Sequence, residues 1–117
     1  MTAPTGSTID RATFEALKET TGAEFVLELV DTFLQEAPAM LDELRRTLAA
    51  KDADKFRRTA HSLKSNSNTF GALTLGAMAK NLELGGLASA REPGDPLDAL
   101  AREYARVTAA LKELKRA

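Results

Sequence analysis

The chain has 117 residues, 44% hydrophobic and 28% charged, the balance of a folded soluble protein with room for one core. Its 16 basic and 17 acidic side chains leave a formal net charge of -1, so no global field draws nucleic acid or an anionic membrane, and any electrostatic function has to be local. The absence of cysteine removes disulfides, thiolate metal sites and cysteine nucleophiles together.

Met1 to Thr8 is polar, with no basic start and no apolar centre, and reads as a flexible N-terminal segment rather than a signal or anchor. The domain proper is expected over 9–117. A short helix starts at Asp10 as N-cap, with Ile9 placed to staple onto Phe14, and ends near Gly22. From Ala23, the residues Val26, Val30, Phe33, Ala37, Leu41, Leu44 and Leu48 recur at three and four, the spacing of one buried helical stripe. Pro38 falls inside that stripe; proline deletes an intrahelical hydrogen bond and crowds the preceding turn, so a kink or a break into two helices is expected there.

A third helix is read from about Asp52 to Asn68 and a fourth from about Leu73 to Ala90, with Gly71 in the turn between them and Gly85-Gly86 weakening the end of the fourth. Arg91-Glu92-Pro93-Gly94 reads as a loop, after which Asp95 is a natural N-cap and Pro96 fits the first helical position. Leu97, Leu100, Tyr104, Val107, Leu111 and Leu114 then form a seam of the kind helix bundles use. No strand signal is present. The expected fold is all-α, an antiparallel up-down four-helix bundle with a short extra N-terminal helix. Every apolar stretch is broken by charge well short of the roughly 20 residues of a membrane span. With no targeting segment and no cysteine, the chain is read as cytoplasmic.

Most enzyme chemistries lack their parts. One histidine cannot supply a di-iron bundle, no Gly-x-Ser-x-Gly turn accompanies it, and no Gly-x-x-x-x-Gly-Lys-Ser/Thr loop is present to hold nucleotide phosphates. The carboxylates Asp52 and Asp54, or Asp42 and Glu43, read as a solvated helix face, as do Arg45-Arg46 and Lys112 with Lys115.

The third helix differs. On a wheel of about 100° per residue, Asp54, Arg57, Arg58, Lys64, Ser65 and Asn68 fall within about 60° of His61, while Phe56, Ala60, Leu63, Ser67 and Phe70 gather opposite. His61 is therefore expected on the solvent face among three cations, Arg57, Arg58 and Lys64. A metal-binding histidine wants carboxylates and other imidazoles nearby; these neighbours suit a group that becomes anionic, and phosphate is the obvious candidate. A neutral imidazole is a competent nucleophile near pH 7, and the same cations would stabilise transferring phosphoryl oxygens. Against this stands the ordinary reading: a lone surface histidine between arginines is usually just solvated. Ser67, on the core side, reads as a packing residue.

The run Thr59-Ala60-His61-Ser62-Leu63-Lys64-Ser65-Asn66-Ser67-Asn68-Thr69-Phe70-Gly71-Ala72 resembles the motif of the histidine-containing phosphotransfer (HPt) family, His-x-x-Lys-Gly-Ser-x-x-x-x-Gly. Phe33-Leu34-Gln35-Glu36-Ala37-Pro38 with Leu41 and Leu44 is similar to family members too. The resemblance implies that His61 is the phosphoacceptor, that Lys64 sits beside the phosphoryl group, and that Gly71 leaves space near the imidazole; the helical wheel adds Arg57, Arg58, Ser65 and Asn68 as supporting residues. Two positions depart from the pattern: Ser65 replaces the family glycine, and Asn66 stands where a small hydroxyl residue is common. A side chain at 65, one turn from His61, narrows access or offers a hydrogen bond, and so bears on phosphoryl lifetime and partner choice.

The implied function is a phosphoryl shuttle between receiver-domain aspartates of a multistep two-component phosphorelay. It needs no cofactor, metal or ATP site of its own, magnesium belonging to the receiver, and the expected state is a monomer that binds neither nucleic acid nor membrane. Two other readings stand beside it. A histidine kinase dimerisation fragment would ordinarily carry an acidic residue directly after the histidine, where this chain has Ser62. A non-catalytic adaptor that only binds receivers is the reading Ser65 would favour.

Overall fold

The computed structural model of the protein describes residues 8–116. Of the segment 1–8, residues 1–7 lie outside the described residues. Five helices follow in order: α1 (Arg11–Thr21), α2 (Ala23–Ala50), α3 (Ala53–Thr69), α4 (Leu73–Ala90) and α5 (Pro96–Arg116). No strand occurs among the described residues, and no helix there is long and apolar enough to cross a membrane.

Local chemistry sets most of the ends. The Asp10 carboxylate accepts from the Thr13 N–H at 3.1 Å to open α1, the Asp52 carboxylate accepts from Lys55 at 3.1 Å to open α3, and Asp95 accepts from Asp98 at 3.2 Å, directly before Pro96, to open α5. The expected stripes are the buried ones. Val26, Val30, Phe33, Ala37 and Leu44 from α2 meet Phe56, Ala60 and Leu63 from α3, Leu75, Ala79 and Leu82 from α4, and Leu97, Leu100, Val107 and Leu111 from α5. The rings of Phe33 and Phe70 lie 5.2 Å apart, and Tyr104 meets Phe33 edge-on at 6.0 Å. Ile9 and Phe14 are buried in the same core, which ties the N-terminal helix to the rest.

Pro38 neither breaks nor splits α2, which runs unbroken for 28 residues. The physical reason lies far along the chain. Proline at 38 leaves the carbonyl of Leu34, four residues earlier, without its helical donor, and the Tyr104 hydroxyl from α5 donates to that carbonyl at 3.3 Å. Burial pushes the Tyr104 hydroxyl above its usual pKa, so it remains a donor at neutral pH.

The expected weakness at Gly85-Gly86 takes the form of a kink. Gly86 has φ 65 and ψ -154 inside α4, a combination open essentially to glycine alone. The Ser89 hydroxyl donates to the Gly86 carbonyl at 2.7 Å, so the freed backbone group keeps a partner across the bend.

Candidate functional site

His61 lies on the outer face of α3 because Phe56, Ala60, Leu63 and Ser67 take the inner one; its side chain is 56% exposed. What faces it comes from α4. Nδ1 of His61 lies 2.7 Å from Oε2 of Glu83, and Nζ of Lys64 lies 2.9 Å from Oε1 of the same carboxylate. Glu83 is thus shared between the imidazole and the ammonium, and only 16% of its side chain is exposed. Lys64, one turn on from His61, comes first among the causes that hold the Glu83 carboxyl below its ordinary value of 4.5, and His61 second; together they outweigh the burial that pushes the other way.

Protonation on the ring follows from this contact. An ionised carboxylate has no hydrogen to give, so the hydrogen between the two groups belongs to Nδ1. In the neutral imidazole this contact selects the tautomer with Nδ1–H, which leaves the lone pair on Nε2. Nε2 has no partner among the described residues.

The α3–α4 register places the remaining residues. His61 meets Glu83, and seven residues further along α3 Asn68 packs against Gly76, seven residues back along α4, so the two helices run antiparallel. A Cβ at Gly76 would run into the Asn68 amide. Asn68 therefore sits against α4, two turns from the imidazole.

Arg57 and Arg58 are engaged with Asp54, at 2.7 Å and 3.1 Å, in exposed pairs one turn before the histidine. Of the three cations expected around His61, Lys64 alone shares a partner with it. Ser65 is exposed one turn after His61, its carbonyl accepting from the Thr69 hydroxyl at 2.9 Å.

Gly71 has surroundings unlike those the motif implies. It is buried with φ 85, its carbonyl accepts from the Asp10 N–H at 2.7 Å, and a Cβ there would lie 2.7 Å from the Asp10 carbonyl oxygen. The space a glycine leaves at this position is taken by the backbone entering α1, not by the imidazole. Ser67 is fully buried, and its hydroxyl finds no hydrogen-bond partner among the described residues. Among the described residues no three His, Cys, Asp or Glu side chains come together as metal ligands.

Glu83 is the residue that sequence reasoning missed. A signal existed: α4 contains only two charged residues, Lys80 and Glu83, in an otherwise apolar or small-residue helix. A lone carboxylate in such a helix needs a partner, but identifying it takes the register between two helices.

The chain matches the model of one protein family, the Hpt domain, over residues 28–117. No curated protein matches it. Among solved structures it is similar to the crystal structure of histidine-containing phosphotransfer protein B (HptB) from Pseudomonas aeruginosa PAO1, with a TM-score of 0.85 and 28% sequence identity, covering 98% of this chain and 97% of that one. Matched over most of its length, with the motif histidine on the outer face of its third helix, this chain belongs to the Hpt domain family.

Proposed function

We propose that this protein carries a phosphoryl group on Nε2 of His61, received from the aspartyl phosphate of one receiver domain and passed to the aspartate of another. Histidine phosphotransfer in a phosphorelay is the activity of the family to which the chain belongs; the acceptor atom, the supporting residues and the direction of approach are our reading. Its architecture in this reading is an antiparallel up-down bundle of α2 to α5, with α1 as the extra N-terminal helix. The protein acts as a monomeric carrier without an ATP site or autokinase activity of its own, and magnesium belongs to the receiver.

One observation carries the assignment of the acceptor atom: Glu83 engages Nδ1 at 2.7 Å on the only histidine in the chain. In the transfer, the bond from the aspartyl oxygen to phosphorus breaks as the bond from Nε2 to phosphorus forms. The aspartate leaves as a carboxylate, and the ring, still carrying Nδ1–H, becomes an imidazolium. No proton has to move. The positive charge that develops on the ring faces the Glu83 carboxylate, which is already in place. Lys64, on the other oxygen of that carboxylate, keeps it ionised.

Phosphoryl transfer from a labelled, phosphorylated receiver domain tests this, run on the wild-type chain and on His61→Gln. The expected result is an acid-labile, base-stable label on the wild type and none on the variant. No label from a broad panel of receivers, with both chains folded, would replace phosphotransfer by receiver binding alone.

A further inference from the structure

Lys80 and Glu83, the only charged residues of α4, stand three apart, a spacing at which opposite charges on a helix surface ordinarily pair with each other. Here they do not. Glu83 is turned into the α3–α4 groove, where His61 and Lys64 occupy both of its oxygens. Lys80 is exposed and has no hydrogen bond or ion pair among the described residues. The cations of α3 are all engaged: Lys55 with Glu43, Arg57 and Arg58 with Asp54, Lys64 with Glu83. Lys80 is thus the one free ammonium on the two helices that build the site.

Its position follows from the register. With His61 opposite Glu83 and Asn68 opposite Gly76, Lys80 is level with Lys64 across the groove. Three residues back from Glu83 is about 4.5 Å along α4 and about 60° around it. The rotation carries Lys80 to the outer rim of the groove, because the inner face of α4 is taken by Leu75, Ala79 and Leu82. Nε2 is the ring nitrogen turned away from Glu83, so a group carried there lies outside the α3–α4 groove, and the flexible four-carbon stem of an exposed lysine on the rim lets its ammonium swing out toward that group.

Charge balance gives this cation a use. Before transfer the Glu83 carboxylate and the Lys64 ammonium cancel, and the ring is neutral. After transfer the ring has gained one positive charge and the phosphoryl group brings up to about two negative ones, which leaves His61, Glu83 and Lys64 together short of about one positive charge. Lys64 is committed to Glu83. We infer that Lys80 supplies the missing charge, as a second catalytic cation whose ammonium meets a phosphoryl oxygen on Nε2 of His61 while the group arrives and while it stays.

This rests on the phosphotransfer reading, and a donor that needs no docking surface separates the two. Phosphoramidate is such a donor: its N–P bond breaks as the bond from Nε2 to phosphorus forms, ammonia leaves, and the ring keeps Nδ1–H. The full chain is treated with it as wild type, His61→Gln, Lys80→Gln and Lys80→Arg, and label acquisition is followed at saturating donor. The expected result is a maximal rate about tenfold lower for Lys80→Gln, with Lys80→Arg close to wild type. A Lys80→Gln rate within about twofold of wild type overturns the inference, even if transfer from a receiver slows, since Lys80 would then serve docking alone. Equal slowing in both Lys80 variants also overturns it, because position 80 would then matter for shape and not charge. A wild-type chain that takes no label, or a His61→Gln chain that takes as much, defeats the phosphotransfer reading itself, whatever the Lys80 variants do.

Discussion

At the scale of single residues, the site depends on one carboxylate with two partners. Glu83→Gln keeps an oxygen that can accept from Nδ1–H but removes the charge that faces the imidazolium and holds Lys64. Phosphoryl uptake by Glu83→Gln is expected to fall about tenfold, measured as transfer from a labelled receiver. A pH dependence of stability follows as well. The Glu83 carboxyl is depressed below its ordinary 4.5, first by Lys64 and then by His61, so its contribution is in full above that value and is lost as pH falls through the lower folded one. Thermal melts of wild type and Glu83→Gln should therefore differ by a constant amount above about pH 5 and converge in more acid solution. A gap that stayed constant down to pH 3 would show that the variant acts through packing.

At the scale of helices, caps and stripes act locally and were legible in the sequence. Asp10, Asp52 and Asp95–Pro96 each open the helix expected of them, and the core faces of α2, α3 and α5 follow from periodicity alone. Pro38 was not legible in this way. The sequence around it calls for a kink or break, and the donor that serves the freed Leu34 carbonyl of the unbroken α2 is Tyr104, 70 residues on from Leu34. Tyr104→Phe keeps the ring on Phe33 and deletes the donor. It is expected to cost about 1 kcal/mol in denaturant unfolding, the net worth of one hydrogen bond. Glu83 and Gly71 escaped sequence reading for the same kind of reason. One answers to His61 across a groove and the other to the backbone of Asp10, and neither relation is a spacing along the chain.

At the scale of the whole molecule, the family match begins at residue 28, yet part of the core comes from before it. Ile9 and Phe14 are buried to 1% and 3% exposure, and the Asp10 N–H is bound to the Gly71 carbonyl between the two helices of the site. A chain beginning at Gly22 loses both side chains and this bond. It is expected to be less stable by about 3–6 kcal/mol, at about 1.5–3 for each large apolar side chain, as read from chemical denaturation. Whatever stays folded should still accept phosphoryl on His61, because the hydrogen bonds and ion pairs of the site run between α3 and α4 alone. A truncated chain as stable as the full one would mean that the core closes without α1.

The bond between Tyr104 and the Leu34 carbonyl also bears on how the protein is made. A chain leaves the ribosome N-terminus first, at about 5–20 residues per second. All of α2 has therefore been synthesised for several seconds before Tyr104 is joined to the chain. During that interval the Leu34 carbonyl lacks its Tyr104 donor, and α2 is free to bend at Pro38. The Leu34 carbonyl gains its protein donor only when the last helix arrives, so the nascent protein is expected to acquire its final shape late, after the end of α5 has cleared the exit tunnel.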